Sequence, residues 1–334
     1  MMHPFASGAA RGFVVATMML SIAATVRAQD KQPLERVTVI ESKGKTGGLD
    51  HLDGDWKNSR LFLANTTNNT LDVLDVKNNK LLKQVAEQKQ IRSIAYAADL
   101  DRIFVGNGEG VCNAIDGKDY IVVKSAPVQG ADSVRYDARS QRVYVAGKNQ
   151  LAVLDAKTME RVATVKLSGS SHGFQIASKK PRVFMNTGSP CQVAVIDTDK
   201  NELVTHYSLE KEKGIGPLTL DEANGRVLVG VRGMPRLAVL DLETGKDVAS
   251  VPIPEGCDDM FLDSKSKRIY ISCSSGFVAV IRQIDLARYE SVANVATIKG
   301  AKTSTYDPTA KRLYVAVPHQ SGKEGPEIWV YQAR

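Results

Sequence analysis

Seven times along the 334 residues an arginine is followed by an aliphatic residue, a mostly aromatic one and a further apolar one. The strings are Arg60-Leu61-Phe62-Leu63, Arg102-Ile103-Phe104-Val105, Arg142-Val143-Tyr144-Val145, Arg182-Val183-Phe184-Met185, Arg226-Val227-Leu228-Val229, Arg268-Ile269-Tyr270-Ile271 and Arg312-Leu313-Tyr314-Val315. Successive arginines are 42, 40, 40, 44, 42 and 44 residues apart. Near-constant spacing of this kind marks an array of one supersecondary unit, and each unit must bury its apolar faces against its neighbours.

Within each unit the same order recurs. A short apolar segment ends in an Asp turn, as in Val134-Arg135-Tyr136-Asp137 or Met260-Phe261-Leu262-Asp263. The Arg string follows, then a polar loop and a third segment such as Leu151-Ala152-Val153-Leu154-Asp155. A turn and a fourth segment, such as Arg161 to Val165, complete the unit. β-branched and aromatic enrichment with Gly, Asn, Asp and Lys punctuation reads as antiparallel strand, and no 3.6-residue period is sustained. Four strands in 40 to 44 residues is the pattern of a propeller blade, so the expected fold is an all-β, seven-bladed β-propeller over residues 29–334. The seventh unit stops at Ile328 to Gln332 without a fourth strand, and the strand-like segment Glu35 to Ile40 lacks a unit of its own. That segment is expected to close the last blade and cover its free edge.

The N-terminus reads as an export signal. Arg11 precedes a mostly apolar run from Gly12 to Thr25, and Val26-Arg27-Ala28 carries a small residue before the expected cleavage point. Residues 1–28 are therefore expected to be removed after Ala28, placing the protein in the periplasm or outside the cell. The run is too short for a membrane span of about 20 residues, so no span is expected. Outside it, 42 basic residues stand against 37 acidic ones. So dilute an excess, with only 6% aromatic residues, argues against nucleic acid as partner.

Strings such as Arg142-Val143-Tyr144-Val145-Ala146-Gly147 and Arg60-Leu61-Phe62-Leu63-Ala64-Asn65 resemble the YVTN-type repeat of secreted, YncE-like seven-bladed propellers, over Glu35 to Arg334. The resemblance implies an exported propeller, within a group of mostly binding or scaffold proteins whose relatives include lactone hydrolases. A shared fold does not choose between those functions.

Strand alternation puts the start of every first strand on the same face as the loop after every Arg string. The aligned first-strand positions are Asp50, Arg92, Asp132, His172, Gly216, Asp258 and Lys302. All but Gly216 are ionisable, whereas positions deeper in these strands read as apolar or Tyr. The following loops add Asn65, Asn107, Asn186, Arg232, Cys273 and His319, the last within a long loop from Val317 to Glu327. Asp50, Arg92, Asp132, His172, Asp258, Lys302 and His319 are thus the candidate ligand-binding residues. Arg92 and Lys302 would hold an anionic group while Asp132 and His172 orient hydroxyls or a carbonyl. Alternation leaves open that His51 or Asp259 faces the channel instead, and the charges could equally be solvated or paired across the ring.

Other signals are weaker. Gly169 to Gly173 matches G-x-S-x-G but lacks the strand-to-helix turn of a nucleophile elbow. Gly106 to Gly110 reads as a hairpin tip. No cofactor is expected, and a divalent metal is left open only through His172 with Asp132 or Asp50. Cys257 and Cys273 flank one hairpin and are expected to form a cross-strand disulfide, with Cys112 and Cys191 as separate buried thiols. The expected function is binding of a small polar molecule or a periplasmic protein at the channel mouth. The alternative is lactone hydrolysis, with His172 as general base and Arg92 or Lys302 facing the developing oxyanion.

Overall fold

The computed structural model describes Met1 and residues 32–169, 171–209, 214–318, 322 and 325–334, without the side chains of Ser171 and His172. The export-signal segment and its cleavage point lie outside the described residues. Among those described, seven four-stranded antiparallel sheets follow one another in chain order as the blades of a β-propeller. The first strands are Leu52–Asp55, Ile91–Ala97, Val134–Asp137, Ser171–Ile176, Ile215–Asp221, Cys257–Asp263 and Ser304–Asp307. Each Arg string opens the second strand of its blade, from Arg60–Asn65 in blade 1 to Arg312–Val317 in blade 7.

The expected closure is present. Blade 7 takes its outermost strand, Leu34–Glu41, from the start of the chain, running antiparallel to Glu327–Ala333 from Leu34 opposite Ala333 to Glu41 opposite Glu327. Ser42, immediately after this strand, donates its hydroxyl to Asp72 of blade 1 at 2.6 Å. Asp72 is fully buried and also accepts from Asn65, Thr70 and Gln84. The closing strand is thus tied to both the last blade and the first.

The repeat explains the packing between blades. The third residue of each string, Phe62, Phe104, Tyr144, Phe184, Leu228, Tyr270 or Tyr314, is at most 1% exposed. Several of these rings meet an aromatic of the next blade: Phe62 with Tyr96 at 5.3 Å, Phe104 with Tyr136 at 5.9 Å, Tyr270 with Tyr306 at 5.2 Å. Trp56 takes that role where Tyr314 of blade 7 meets blade 1, at 5.5 Å. Such pairs add about 0.5–1.5 kcal/mol each beyond burial.

The arginine itself reaches the next blade on the face opposite the expected site. Arg60 pairs with Asp55 of its own blade and with Asp101 of blade 2, and donates to Tyr96 and to the Gly117 carbonyl. Arg102 donates to the carbonyls of Ala156 and Lys157 in blade 3, and Arg226 to that of Leu286 in blade 6. The Asp ending the third strand in blades 1 to 5 folds the adjoining turn: Asp75, Asp116, Asp155, Asp197 and Asp241 each accept backbone N–H groups two and three residues on. This is the Asx-turn geometry that favours Asp there.

Closure by a terminal strand makes a direct prediction. A chain beginning at Ser42 leaves Ile328, Trp329, Val330 and Tyr331 on an open edge. It should lose its cooperative thermal transition and elute as aggregate in size-exclusion chromatography. A monomeric truncation with an unchanged melting curve would contradict this account of closure.

Candidate functional site

One end of the channel holds a recess of about 240 Å3. Its walls include Asp50, Arg92, Asp132, Gly216, Asp258 and Lys302, so six of the seven aligned first-strand positions converge as expected. The seventh, His172, has a side chain outside the described residues, and His319 also lies outside them, as do positions 320, 321, 323 and 324 of its loop. The recess is further lined by His51, Arg135, Gln175, Arg232 and Asp259.

Arg135 and Gln175 of this lining, together with Asp53 outside it, correct the sequence reading. Positions deeper in the first strands are not uniformly apolar or Tyr: Asp53, Arg135 and Gln175 pair in register with Phe62, Tyr144 and Phe184. The signal was available in the strand Val134-Arg135-Tyr136-Asp137, where an arginine stands between two buried or ring-packed neighbours. The loop asparagines behave differently from expectation. Asn65 bonds Asp72, Asn107 bonds Gln88, and Asn186 donates to the Gly216 carbonyl at 2.9 Å. All three are buried between strands and serve packing.

Part of the charge is internally paired. Asp258 sits between two cations, Arg232 on one oxygen and Lys302 Nζ on the other at 2.5 Å. Burial would raise the Asp258 pKa, but His51, Lys302 and Arg232 outweigh it and hold the carboxyl below its usual range. Lys302 is therefore committed to a protein partner rather than to a ligand anion. Gly216 accommodates this clamp, since a Cβ there would stand 2.8 Å from Arg232 Nε, which donates to the Cys257 carbonyl.

A second pair crosses the mouth. His51 Nδ1 lies 3.0 and 3.1 Å from the two oxygens of Asp259, and one of these also accepts the Ser304 N–H at 2.9 Å. This joins blade 1 to blade 6 over the inner edge of blade 7. Burial alone would lower the His51 pKa, but Asp259, with Asp50 and Asp258 behind it, raises it to about 10. The imidazolium is the resident form at neutral pH.

The remaining charges are not paired in this way. Among the described residues the side chains of Arg92 and Asp132 make no hydrogen bond or ion pair. Arg135 donates one N–H, from Nη1 to its neighbour's carbonyl at Val134, 2.8 Å away. Its guanidinium lies 5.6 Å from the Phe174 ring centre. Burial lowers the Arg135 pKa, against the opposing pull of Asp259 and Asp53. Asp50 stands 3.6 Å from His51 Nε2. Burial drives the Asp50 pKa up to about 6 despite His51 and Lys302, with Asp258 and Asp132 pushing the same way as burial.

Among the described residues, no three His, Cys, Asp or Glu side chains come together as ligands for a metal. Cys257 and Cys273 stand directly opposite each other across the hairpin, as their spacing predicts, and both are buried free thiols in this structure. Cys112 and Cys191 are likewise free and buried. Gly106 and Asn107 end a strand and Gly108 to Gly110 form the hairpin turn that follows, and His206 is exposed on an outer strand.

No protein-family model matches the sequence, and no curated protein does. Solved structures do resemble the fold. Hydrazine synthase of Kuenenia stuttgartiensis superposes with a TM-score of 0.75 at 18% identity, covering 82% of this chain and 94% of that one. The WD40 repeats of RRP9 superpose with a TM-score of 0.76 at 10% identity, covering 90% and 98%. At these identities the likeness is one of fold. The chain is a seven-bladed β-propeller with WD40-repeat structural neighbours.

The raised Asp50 pKa has a consequence for stability. The folded protein holds this proton more tightly than an unfolded chain, whose pKa is near 3.8. That contribution is complete below about pH 4 and is lost as pH rises through about 6, a difference on the order of 2–3 kcal/mol. Asp50→Asn, which is neutral throughout, should match the wild type near pH 4 and melt several degrees higher near pH 7.5. Equal melting temperatures at both pH values would contradict the burial argument.

Proposed function

We propose that this chain is an exported propeller that binds a small polar ligand in the recess at its channel mouth. The observation carrying this reading is the division of charge there: Asp258 and Asp259 are held by Arg232, Lys302 and His51, while Arg92, Arg135 and Asp132 are left without charged partners. A mouth built only for structure would pair its half-buried charges, yet Arg135 and Asp132 are both drawn partly out of water without a charged partner among the described residues. Here the spare groups share a recess below the ~300 Å3 at which drug-sized sites begin, which favours a small molecule over a protein surface. Among the described residues no helix is long and apolar enough to cross a membrane.

Among the described residues His51 is not a general base for the hydrolytic alternative, whose own candidate base, His172, has its side chain outside them. A general base must accept a proton near neutral pH, and an imidazole held at about 10 by Asp259 already carries one. Ligand binding should raise the melting temperature by a few degrees at saturating concentration. The test is thermal-shift screening of neutral sugars, polyamines, nucleosides and small carboxylates, repeated on Asp132→Asn and Arg92→Gln. The expected result is a stabilising compound whose effect both substitutions remove. No stabilising compound, or one indifferent to both, would count against the mouth as a binding site.

Export rests on the sequence of residues 1–28 and on the resemblance to secreted YVTN-type propellers. In an oxidising compartment the facing thiols of Cys257 and Cys273 would be joined. Protein recovered from the periplasm of a Gram-negative host should begin at Gln29. Alkylation after denaturation should then label Cys112 and Cys191 alone. Labelling of all four cysteines would refute the disulfide, and an uncut N-terminus would refute the cleavage point.

A further inference from the structure

The unpaired groups of the recess are not scattered around the ring. Arg232, Asp258, Asp259 and Lys302, which hold one another or His51, belong to blades 5 to 7. Arg92, Asp132 and Arg135 belong to blades 2 and 3, with Asp50 beside them on blade 1. The mouth therefore has a closed half, where cation and carboxylate satisfy each other, and an open half with charge to spare.

Arg135 is the unusual member of the open half. A guanidinium has five N–H donors, and within the described structure a single hydrogen bond is made, to the Val134 carbonyl. Asp53, one of its two nearest opposing charges, already accepts the N–H groups of Gly54 and Tyr96 at 2.8 Å. Asp259, the other, is occupied by His51 and the Ser304 N–H. A half-buried guanidinium whose neighbouring carboxylates are engaged elsewhere is a standing anion receptor. Arg92 lines the same recess from the adjacent blade and is exposed to solvent.

The anion's chemistry follows from what surrounds these two arginines. The recess wall carries the cations His51, Arg92, Arg135, Arg232 and Lys302 against the carboxylates Asp50, Asp132, Asp258 and Asp259. Among the described wall residues that is one positive charge in excess, and Asp53 behind Arg135 brings the set to balance, so a singly charged anion suits the recess better than a doubly charged one. A phosphate or sulfate would bring two negative charges up to Asp132 and Asp50. A planar carboxylate matches the fork of a guanidinium, and donors on the same molecule would satisfy the two spare carboxyl groups. At about 240 Å3 the recess is smaller than the ~300 Å3 at which drug-sized sites begin, which limits the ligand to a compact molecule.

We propose that the open half of the mouth is a carboxylate subsite, in which Arg135 and Arg92 receive the carboxylate of a small hydroxy or amino acid whose own hydroxyl or ammonium donors face Asp132 and Asp50. This rests on the mouth being a small-ligand site and specifies which end of the ligand each half of the charge set receives.

The experiment is isothermal titration calorimetry of the purified protein with gluconate, with glycine, serine and glutamate, and with sulfate and glucose as controls. At least one carboxylate should bind, with sulfate and glucose at least tenfold weaker. Arg135→Gln should weaken that carboxylate at least tenfold, and Arg135→Lys, which keeps the charge and loses the fork, should fall between. Arg92→Gln tests the same point at an exposed position where folding is not at stake, and circular dichroism melting of each variant establishes that it is folded. Preference for gluconate assigns the donors as hydroxyls, and preference for the amino acids assigns them as ammonium. Sulfate binding as tightly as the carboxylates overturns the proposal, as does carboxylate affinity that neither Arg135→Gln nor Arg92→Gln changes. If glucose or another uncharged compound binds and the carboxylates do not, the small-ligand reading of the mouth survives and the carboxylate subsite falls. If nothing in this panel binds, the subsite falls, and the wider thermal-shift screen decides whether the mouth binds anything.

Discussion

Everything in this molecule depends on a ring that has to close. A blade has two apolar faces and can cover neither by itself, so each is stable only between neighbours, and the last must meet the first. The pairing of Leu34–Glu41 with Glu327–Ala333 makes that meeting a backbone ladder rather than a side-chain contact alone. The carboxylate of Asp72, buried in blade 1 and accepting from Ser42 just beyond the closing strand, extends the tie across the junction. Opening the ring would at once expose a strand edge, the Trp56–Tyr314 contact and an acceptor that water would have to satisfy. The positions of the seven first strands follow from the closure, and so does the geometry of the mouth they form.

The two faces of the ring divide the work. On one face the same devices recur, an arginine reaching the next blade, as Arg60, Arg102, Arg182 and Arg226 do, and an aspartate folding its own turn. Repetition there is what structure requires, because each blade junction poses the same problem. On the other face the aligned positions vary from blade to blade: Asp50, Arg92, Asp132, Gly216, Asp258 and Lys302 fill one structural slot with four residue types, of both charges and none. Structure alone has no use for opposite charges in one repeated position. Gly216 illustrates the point, being small because Arg232 lies across it toward Asp258.

The repeat made the architecture legible, since arginine spacing, strand alternation, a surplus strand at the start of the chain and a missing one at its end together leave one arrangement. It also made the mouth legible, because aligning repeats aligns slots in space. Pairing within the mouth was not legible. His51 and Asp259 are 208 residues apart and meet across the inner edge of a third blade, a distance set by the curvature of the closed ring. Arg135 was hidden for a different reason. Its neighbours Val134 and Tyr136 serve the blade interface, and the period-2 pattern they set up made the residue between them look like part of the same apolar strand. In a propeller the innermost strand has a free side toward the channel, so the intervening position can carry a charge without a packing conflict. The facing of Cys257 and Cys273 needed no long-range information, as a hairpin turning at Asp263 to Arg268 brings its ends together.

Pairing and spare charge in one recess are connected physically. Asp258 and Asp259 are drawn out of bulk water with Arg232, Lys302 and His51 standing against them, and that network fixes the shape of one half of the mouth. Were those cations free, they would compete with Arg135 and Arg92 for any anion that entered, and its position would be ill defined. Were Arg135 paired as well, the recess would have no group to offer. Asp50 marks the boundary between the two halves: it is near enough to His51 and Lys302 to feel both, yet burial and the neighbouring carboxylates keep its proton affinity high. Unpaired groups of this kind reduce the stability of the fold, and a rigid ring tolerates the loss because its closure and blade contacts lie elsewhere in the structure. A bound molecule that supplied the missing partners would recover that stability, which makes the open half of the mouth the part of the propeller whose energy a ligand can change most.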